Sequence, residues 1–261
     1  MSELISIDIF ADFGMLKKPD TNEPVYLTFN MLHKPVLLGI LGAIMGYKGF
    51  EGKGKLPEYY QKFQDLRLGI QPLNHENGNY QKTIIAYNNT TGMASRETGG
   101  NLIVTEQTLV APAYRCYFLL ERENLIHSEL KKRLSTYHAE FLPYLGKNEF
   151  SVWWNNCREY DFDTFKPDDN FKISSIFIKD QPVKEGKAKE YFDLTTDLSA
   201  KGNTFIYFER LPIGYIELAP GVFQYEYRNF AFSDWSYKPD YKTGDFLLLK
   251  ITDDDKIIQV F

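Results

Sequence analysis

Two segments carry basic and polar side chains that could hold single-stranded nucleic acid. The first is Lys17-Lys18-Pro19, followed by Asn22. The second is residues 88–101, NNTTGMASRETGGN, which combine amide and hydroxyl groups with one guanidinium. Proteins recognise single-stranded RNA with such hydrogen-bonding groups and with aromatic or guanidinium stacking. The two segments therefore predict an RNA-binding surface, although a polar hairpin of this composition is more often only a loop.

His33 and Lys34 suggest a second chemistry. A histidine beside a lysine could support metal-independent RNA cleavage, in which a base deprotonates the ribose 2′-OH. A lone histidine is more often structural or solvated, so a repeat-RNA endoribonuclease is the alternative and not the leading hypothesis. The four histidines show no HExxH or HxH spacing, and Cys116 and Cys157 have no CxxC partner. We therefore expect no metal and no other cofactor.

Residues 49–55, GFEGKGK, match the GxxxxGK pattern of a phosphate-binding loop. That loop needs a Ser or Thr after the lysine to hold magnesium, and this chain has Leu56. It must also follow a strand and open a helix, whereas here it follows a predicted helix. Nucleotide hydrolysis is therefore excluded.

Composition and charge limit the class of protein. At 43% hydrophobic residues, the chain of 261 residues has enough apolar material for a core. Residues 1–150 hold 16 Lys and Arg against 16 Asp and Glu, and residues 151–261 hold 14 against 19, so the net charge of −5 lies in the second part. Local phosphate contacts decide RNA binding more than total charge does. Such an acidic chain is expected to bind RNA inside an assembly.

The N-terminus lacks a basic segment followed by an apolar one, so we expect no signal peptide. The most apolar run, residues 36–45, is far shorter than the ~20 residues of a membrane helix. These features predict a cytoplasmic protein with free thiols and no membrane partner.

Hydrophobic patterning predicts a strand, helix, strand, strand, helix, strand order in the first part of the chain. Pro35 opens the first helix, Asn124 caps the second, and a long hairpin interrupts the order between them. The predicted strands are residues 4–10, 65–73, 81–87, 102–110, 114–120 and 149–154, and the predicted helices are residues 35–47 and 124–139. Further strands are predicted at residues 171–178, 204–209, 215–218, 223–227 and 246–251. The chain is thus expected to be α+β, with a β-rich C-terminal region.

Four segments, taken in order, resemble motifs of one family. Residues 16–22, LKKPDTN, resemble its FRKPxTN loop, and residues 29–47 resemble its first helix, FPPxxxxxGLLAxILGY. Residues 104–118 resemble its PTExLVxPxYRxYF strand, and residues 144–150, YLGKNEF, resemble its YLGxSEF segment. The family is the Cas-five family of type I CRISPR (Cascade) complexes, and the I-B-like branch is the nearest.

The resemblance implies a ferredoxin-like (RRM-like) domain of the RAMP superfamily at residues 1–155, with a hairpin thumb at about residues 81–110. Residues 156–261 would form the β-rich C-terminal region. The implied function is non-catalytic: the subunit binds the 5′ handle of the crRNA and caps a filament of Cas-seven-type backbone subunits. It would also contact the large, Cas-eight-type subunit and target DNA near the PAM. In the I-C branch, by contrast, the Cas-five protein cuts the precursor RNA itself.

The resemblance and the polar segments together give one set of candidate RNA-binding residues. They are Lys17, Lys18, Asn22, Lys34, Asn88, Asn89, Arg96, Thr98, Arg115 and Lys147. The sequence departs from the family pattern at residues 31–35, MLHKP, where a Pro-Pro pair is usual, and its thumb has Arg96 as the main cation.

Overall fold

A computed structural model describes residues 2–19, 24–89, 102–179, 205–237 and 247–261. In chain order, the elements are β1 (Ser2–Ala11), β2 (Phe13–Gly14), α1 (Lys34–Met45), α2 (Glu58–Phe63), β3 (Arg67–Leu73), β4 (Lys82–Asn89), β5 (Leu102–Val110), β6 (Ala113–Glu121), α3 (Leu125–Ser135), β7 (Val152–Tyr160), β8 (Phe162–Thr164), β9 (Phe177–Ile178), β10 (Ile206–Ala219), β11 (Val222–Ser233), β12 (Leu247–Ile251) and β13 (Lys256–Val260). The chain is therefore β-rich with few helices among the described residues, in agreement with the α+β expectation.

A four-stranded antiparallel sheet in the order β3-β6-β1-β7 forms the centre of the first part of the chain. Its central strand β1 is apolar on one face, where Ile5, Ile7 and Ile9 are buried in the main core with residues of α1 and α3. The other face of β1 carries Ser6 and Asp8, which are also buried. The sheet elements and the two helices follow the predicted order of strand, helix, strand, strand, helix, strand.

Helix α1 begins at Lys34 with Pro35 in its first turn and ends before Gly46, whose φ of 78° is left-handed. Gly42 of this helix lies close to a side chain, because a Cβ there would lie 2.8 Å from Cγ of Tyr59 at the start of α2. Helix α2 itself was not predicted from the sequence.

Helix α3 follows the predicted cap. The side chain of Asn124 accepts hydrogen bonds from the backbone N–H groups of Ile126 and His127, at 2.9 and 3.4 Å. This satisfies amide groups that a helix N-terminus leaves unpaired. The helix ends at Ser135, earlier than expected, and Tyr137 then takes a left-handed φ of 55°.

Strands β4 and β5 form a regular antiparallel hairpin, paired from Lys82 with Leu109 to Asn89 with Leu102. Its two faces differ. Ile84 and Ile103 are 56% and 69% exposed, whereas Glu106 on the opposite face is 3% exposed. Residues 90–101, among them Arg96 and Thr98, lie outside the described residues.

The described part of residues 156–261 is a set of small sheets. Strands β10 and β11 form a long hairpin, in which the two short strands predicted at residues 204–209 and 215–218 are one strand with a shift between Pro212 and Gly214. Leu211 and Phe230 belong to the same hydrophobic core as the central sheet. Backbone hydrogen bonds join Phe261 to Leu68 on β3, in both directions. The domain boundary at residues 155 and 156 stays a prediction.

Candidate nucleic-acid interface

A cavity of about 380 Å³ lies at the base of the β4–β5 hairpin. It collects side chains that are far apart in sequence and of the types that bind RNA: cations, tyrosines and a histidine. We call it the basic cavity, and its polar and aromatic lining residues are Lys17, Tyr26, His33, Tyr87, Lys147, Tyr225 and the acidic Glu106.

Lys17 belongs to a segment that pairs through its backbone. Its backbone bridges Thr28, and Lys18 N–H donates to the carbonyl of Leu27 at 2.8 Å. The exposed Lys17 ammonium lies 3.7 Å from the centroid of the Tyr26 ring. A cation over an aromatic face is attracted by the ring quadrupole, so the ring positions this charge at the cavity edge.

Lys18 points toward the C-terminal region. Its ammonium lies 3.4 Å from a carboxylate oxygen of Glu209 on β10. That carboxylate also accepts hydrogen bonds from the backbone N–H groups of Asn30 and Met31, at 3.0 Å each. Glu209 thus ties the turn before α1 to β10. The Lys18 side chain keeps 31% of its surface exposed.

Lys147 enters the basic cavity from the loop after α3. Its ammonium donates to Glu106 at 2.8 Å and to the Tyr87 hydroxyl at 3.2 Å. Burial lowers the pKa of Lys147, but these hydrogen bonds outweigh burial and the pKa is raised, so the lysine stays charged. Gly146 has a φ of 86° and packs where a Cβ would overlap the carbonyl of Met15. This contact holds the loop against the segment that carries Lys17.

Two predicted cations have structural environments instead. Lys34 is 8% exposed, and burial lowers its pKa to about 8, with its ammonium facing the carbonyl of Phe261 at 3.5 Å. Arg115 makes a two-point pair with Asp8, at 2.6 and 2.8 Å. A guanidinium so engaged has few donors left for phosphate. We therefore assign Lys34 and Arg115 to the fold and do not include them in the interface.

Of the remaining predicted residues, Asn88 and Asn89 lie on β4. Asn88 is exposed near the described end of β4. Asn89 pairs with Leu102 through its backbone, and nothing is described of its side chain. Asn22, Arg96 and Thr98 lie outside the described residues. The structure therefore brings Lys17 and Lys147 to one cavity, places Lys18 on Glu209, and leaves residues 90–101 as a prediction.

His33 is 3% exposed, and burial lowers its pKa to about 3. An efficient general base has a pKa near the working pH and reaches the proton that it removes. The environment of His33 therefore does not favour a role in cleaving RNA. Its Nδ1 has no hydrogen-bond partner among the described residues.

Several site residues were not identified from the sequence. Tyr87 and Glu106 lie in predicted strands, and the pairing of Tyr87 with Val104 and of Ile85 with Glu106 puts both on one hairpin face. The alternation of side chains along a strand would have placed Tyr87 and Glu106 on one face if the register of β4 against β5 had been known. Tyr225 reaches the cavity from β11, and no local pattern could have indicated it.

Two kinds of feature are absent from the described ranges. No group of three or more His, Cys, Asp or Glu side chains there could hold a metal ion. None of the helices there has the length and apolar character to cross a bilayer.

No protein-family model and no curated protein sequence matches the chain. The chain is similar to the crystal structure of a CRISPR protein from Archaeoglobus fulgidus, with a TM-score of 0.52, 13% identity and 99% of each chain covered. It is also similar to a chain of a CRISPR RNA-guided surveillance complex, with a TM-score of 0.46, 9% identity and coverage of 89% of this chain and 90% of that chain. For a chain of the Type III-B Cmr-beta bound to cognate target RNA and AMPPnP, the TM-score is 0.48, the identity 10% and the coverage 90% and 86%.

The last two TM-scores are too low to establish a shared fold. The first establishes that this chain has the fold of the Archaeoglobus fulgidus CRISPR protein, and at 13% identity the likeness concerns the fold alone.

Proposed function

We propose that the chain is an RNA-binding subunit of a type I CRISPR interference complex, of the Cas-five kind, and that it holds the 5′ handle of the crRNA. The observation that carries the proposal is the basic cavity, where Lys17 and Lys147 come together at the base of the β4–β5 hairpin. In this proposal Cas-seven-type backbone subunits and a Cas-eight-type large subunit complete the assembly, near the PAM of target DNA.

The fold supports the proposal. The β3-β6-β1-β7 order of the central sheet, with α1 and α3 as crossovers, is the order expected of a ferredoxin-like domain. The β4–β5 hairpin is inserted between the second and third strands of that arrangement, so we assign it as the thumb. A two-stranded hairpin of this kind can lie along a bound RNA strand without disturbing the central sheet.

The electrostatics also support it. Lys17 is exposed without an ion pair among the described residues. Lys147 stays charged beside its partner, the Glu106 carboxylate. An RNA-guided complex reads sequence by base pairing, so its proteins need backbone and shape contacts with the guide. A few well-placed cations meet that need even in a chain of net charge −5.

The experiment is to assemble the complex from its own backbone subunits, large subunit and guide RNA, with variants of this chain. Lys147→Gln is combined with Glu106→Gln, because removing the lysine alone would leave a buried carboxylate unpaired. Lys17→Ala is added to this pair. We expect the 5′ handle to become accessible to a 5′-exonuclease and the slope of the salt dependence of RNA binding to fall by about one unit for each phosphate that is no longer bound.

Lys132→Ala is the matched control, since its side chain is 73% exposed on α3. It should leave the handle protected. A complex that protects the handle equally well without this chain, or with the multiple variant, would overturn the proposal.

The alternative, a repeat-RNA endoribonuclease, is tested with the same protein. Incubation with repeat RNA and a chelator should yield no specific product. A product that disappears in His33→Ala would support the alternative.

A further inference from the structure

A second cavity, of about 460 Å³, lies along α1. Val36, Gly146 and Tyr225 line both this cavity and the basic cavity, so the two are adjacent. We call the second one the aromatic groove. Its aromatic side chains are Tyr47, Phe50, Tyr59, Phe141, Tyr144, Tyr215 and Tyr225.

The aromatic groove has an unusual surface for a monomer. None of the described side chains that line it is charged. At its rim Phe50, Phe141 and Tyr144 are 63%, 56% and 44% exposed. Exposure of these rings to water is unfavourable unless a ligand or partner covers them. Gly39 on α1 leaves the floor open, because a Cβ there would meet nothing closer than the Tyr59 ring at 3.7 Å.

The polar groups of this site lie at the junction of the two cavities. Lys17 and Lys147 supply positive charge on the side of the basic cavity. His33 lies between the aromatic rings of Phe29 and Tyr225, and its buried Nδ1 is unpaired within the described part of the chain. A buried polar atom without a partner is costly, and such an atom beside a cavity is a ready contact for a ligand.

We propose that the aromatic groove takes one unstacked RNA base, whose ribose-phosphate lies on Lys17 and Lys147. This inference rests on the proposed function and names the part of the RNA that the groove recognises. A nucleotide consists of a flat uncharged base and an anionic phosphate. The aromatic walls of the groove match the base, and the two lysines of the basic cavity match the phosphate. An aromatic side chain of a partner protein would fit the groove but would not use the two lysines.

Tyr144 is the stacking residue best placed to carry this binding. It lies in the same loop as Lys147, and Gly146 between them is locked against Met15. A base on the Tyr144 ring would therefore have its phosphate within reach of a cation from the same rigid loop. Every base has a π-face, so this contact is insensitive to sequence.

The test compares two probes on the full chain. One is a uridine decamer, and the other is a decamer of the same ribose-phosphate backbone without any base. Tyr144→Ala should weaken binding of the uridine decamer about 5- to 150-fold and should change binding of the abasic decamer less than about 2-fold. A Lys17→Ala variant should weaken both decamers to the same degree.

Two further variants control for folding. Trp153→Ala removes an aromatic ring that is 46% exposed on β7 and does not line the groove, so it should leave both affinities unchanged. Gly39→Leu fills the groove from α1 while replacing a poor helix former. It should reproduce the selective loss seen with Tyr144→Ala.

The outcomes separate the two claims. If Tyr144→Ala affects both decamers equally or neither, the groove does not bind a base, although the proposed function stands. If it leaves RNA binding intact but lowers the yield of partner subunits in the purified complex, the groove is a protein-docking site and the inference is wrong. If the unaltered chain binds neither decamer, the base-binding inference fails. If Lys17→Ala also leaves handle protection in the assembled complex unchanged, the proposed function fails with it.

Discussion

Replacing Arg115 with Gln should destabilise the fold without weakening RNA binding by the folded protein. Arg115 and Asp8 are directly opposite on β6 and β1, and their two hydrogen bonds measure 2.6 and 2.8 Å. Asn156 adds a third bond to the same carboxylate, at 2.9 Å, from a left-handed position in an irregular stretch of β7. The Asp8 side chain is 4% exposed, so the pair is shielded from water.

The magnitude follows from what the variant leaves behind. Removing one partner of a buried ion pair strands the other charge, which costs about 3–5 kcal/mol. In a protein of this size that corresponds to a fall in Tm of about 6–20 °C. The double variant Asp8→Leu with Arg115→Met removes both charges and should recover most of the loss.

Burial raises the pKa of Asp8, but the hydrogen bonds from Arg115 and Asn156 outweigh it, so the pKa lies below its usual value of 3.8. A carboxyl with a lowered pKa stabilises the fold above that usual value and loses its contribution as the pH falls through the folded pKa. The unaltered chain should therefore lose this stability in acid, and the double variant should not.

The assay is thermal unfolding followed by circular dichroism, with RNA affinity measured well below the Tm. Arg122→Gln is the control, because Arg122 is 57% exposed and its pair with Glu3 is long, at 3.6 Å. It should change stability by less than about 1 kcal/mol. If Arg115→Gln keeps the Tm of the unaltered chain but loses RNA affinity, the assignment of Arg115 to the fold is wrong.

Three other changes test local packing and burial. Gly42→Ala should destabilise the chain because the new methyl group collides with Tyr59. Gly39→Ala, whose new methyl group would meet no close neighbour, should stabilise α1 by about 0.5–1 kcal/mol. Urea unfolding of the two variants measures both changes in stability. His33, with its pKa lowered to about 3 from 6.5, should make the fold less stable below pH 6.5, by at most about 1.4 kcal/mol per pH unit, and a His33→Leu variant should flatten that part of the curve. Asn124→Ala should cost about 1 kcal/mol through loss of the α3 cap, seen as a lower urea midpoint with an unchanged slope; no effect would contradict the cap.

Local signals in the sequence predicted most of the first part of the fold. Alternation located β5 at residues 102–110, Pro35 located the start of α1, and Asn124 located the cap of α3. Each of these depends on interactions within a few residues. The short helix α2 was missed because it is held by tertiary contacts, among them the Tyr59 ring that covers Gly42.

The candidate site was predicted only in part, because its partners come together over long separations. Lys17 and Lys147 were identified as candidates, but nothing local indicates that Gly146 packs on Met15 and brings them to one cavity. The pairing of Arg115 with Asp8 could not be predicted for the same reason, because Asp8 lies on a strand far away in sequence. A charged residue in a strand cannot be assigned to the core or the surface until its cross-strand neighbour is known.

The central claim is that the basic cavity and the β4–β5 hairpin grip the guide RNA, and a cryo-EM structure of the assembled complex tests it most directly. The account predicts ribose-phosphate density against Lys17 and Lys147, with strands β4 and β5 beside the 5′ handle. A complex in which these two lysines face solvent or a protein subunit, with the handle bound elsewhere, would contradict it.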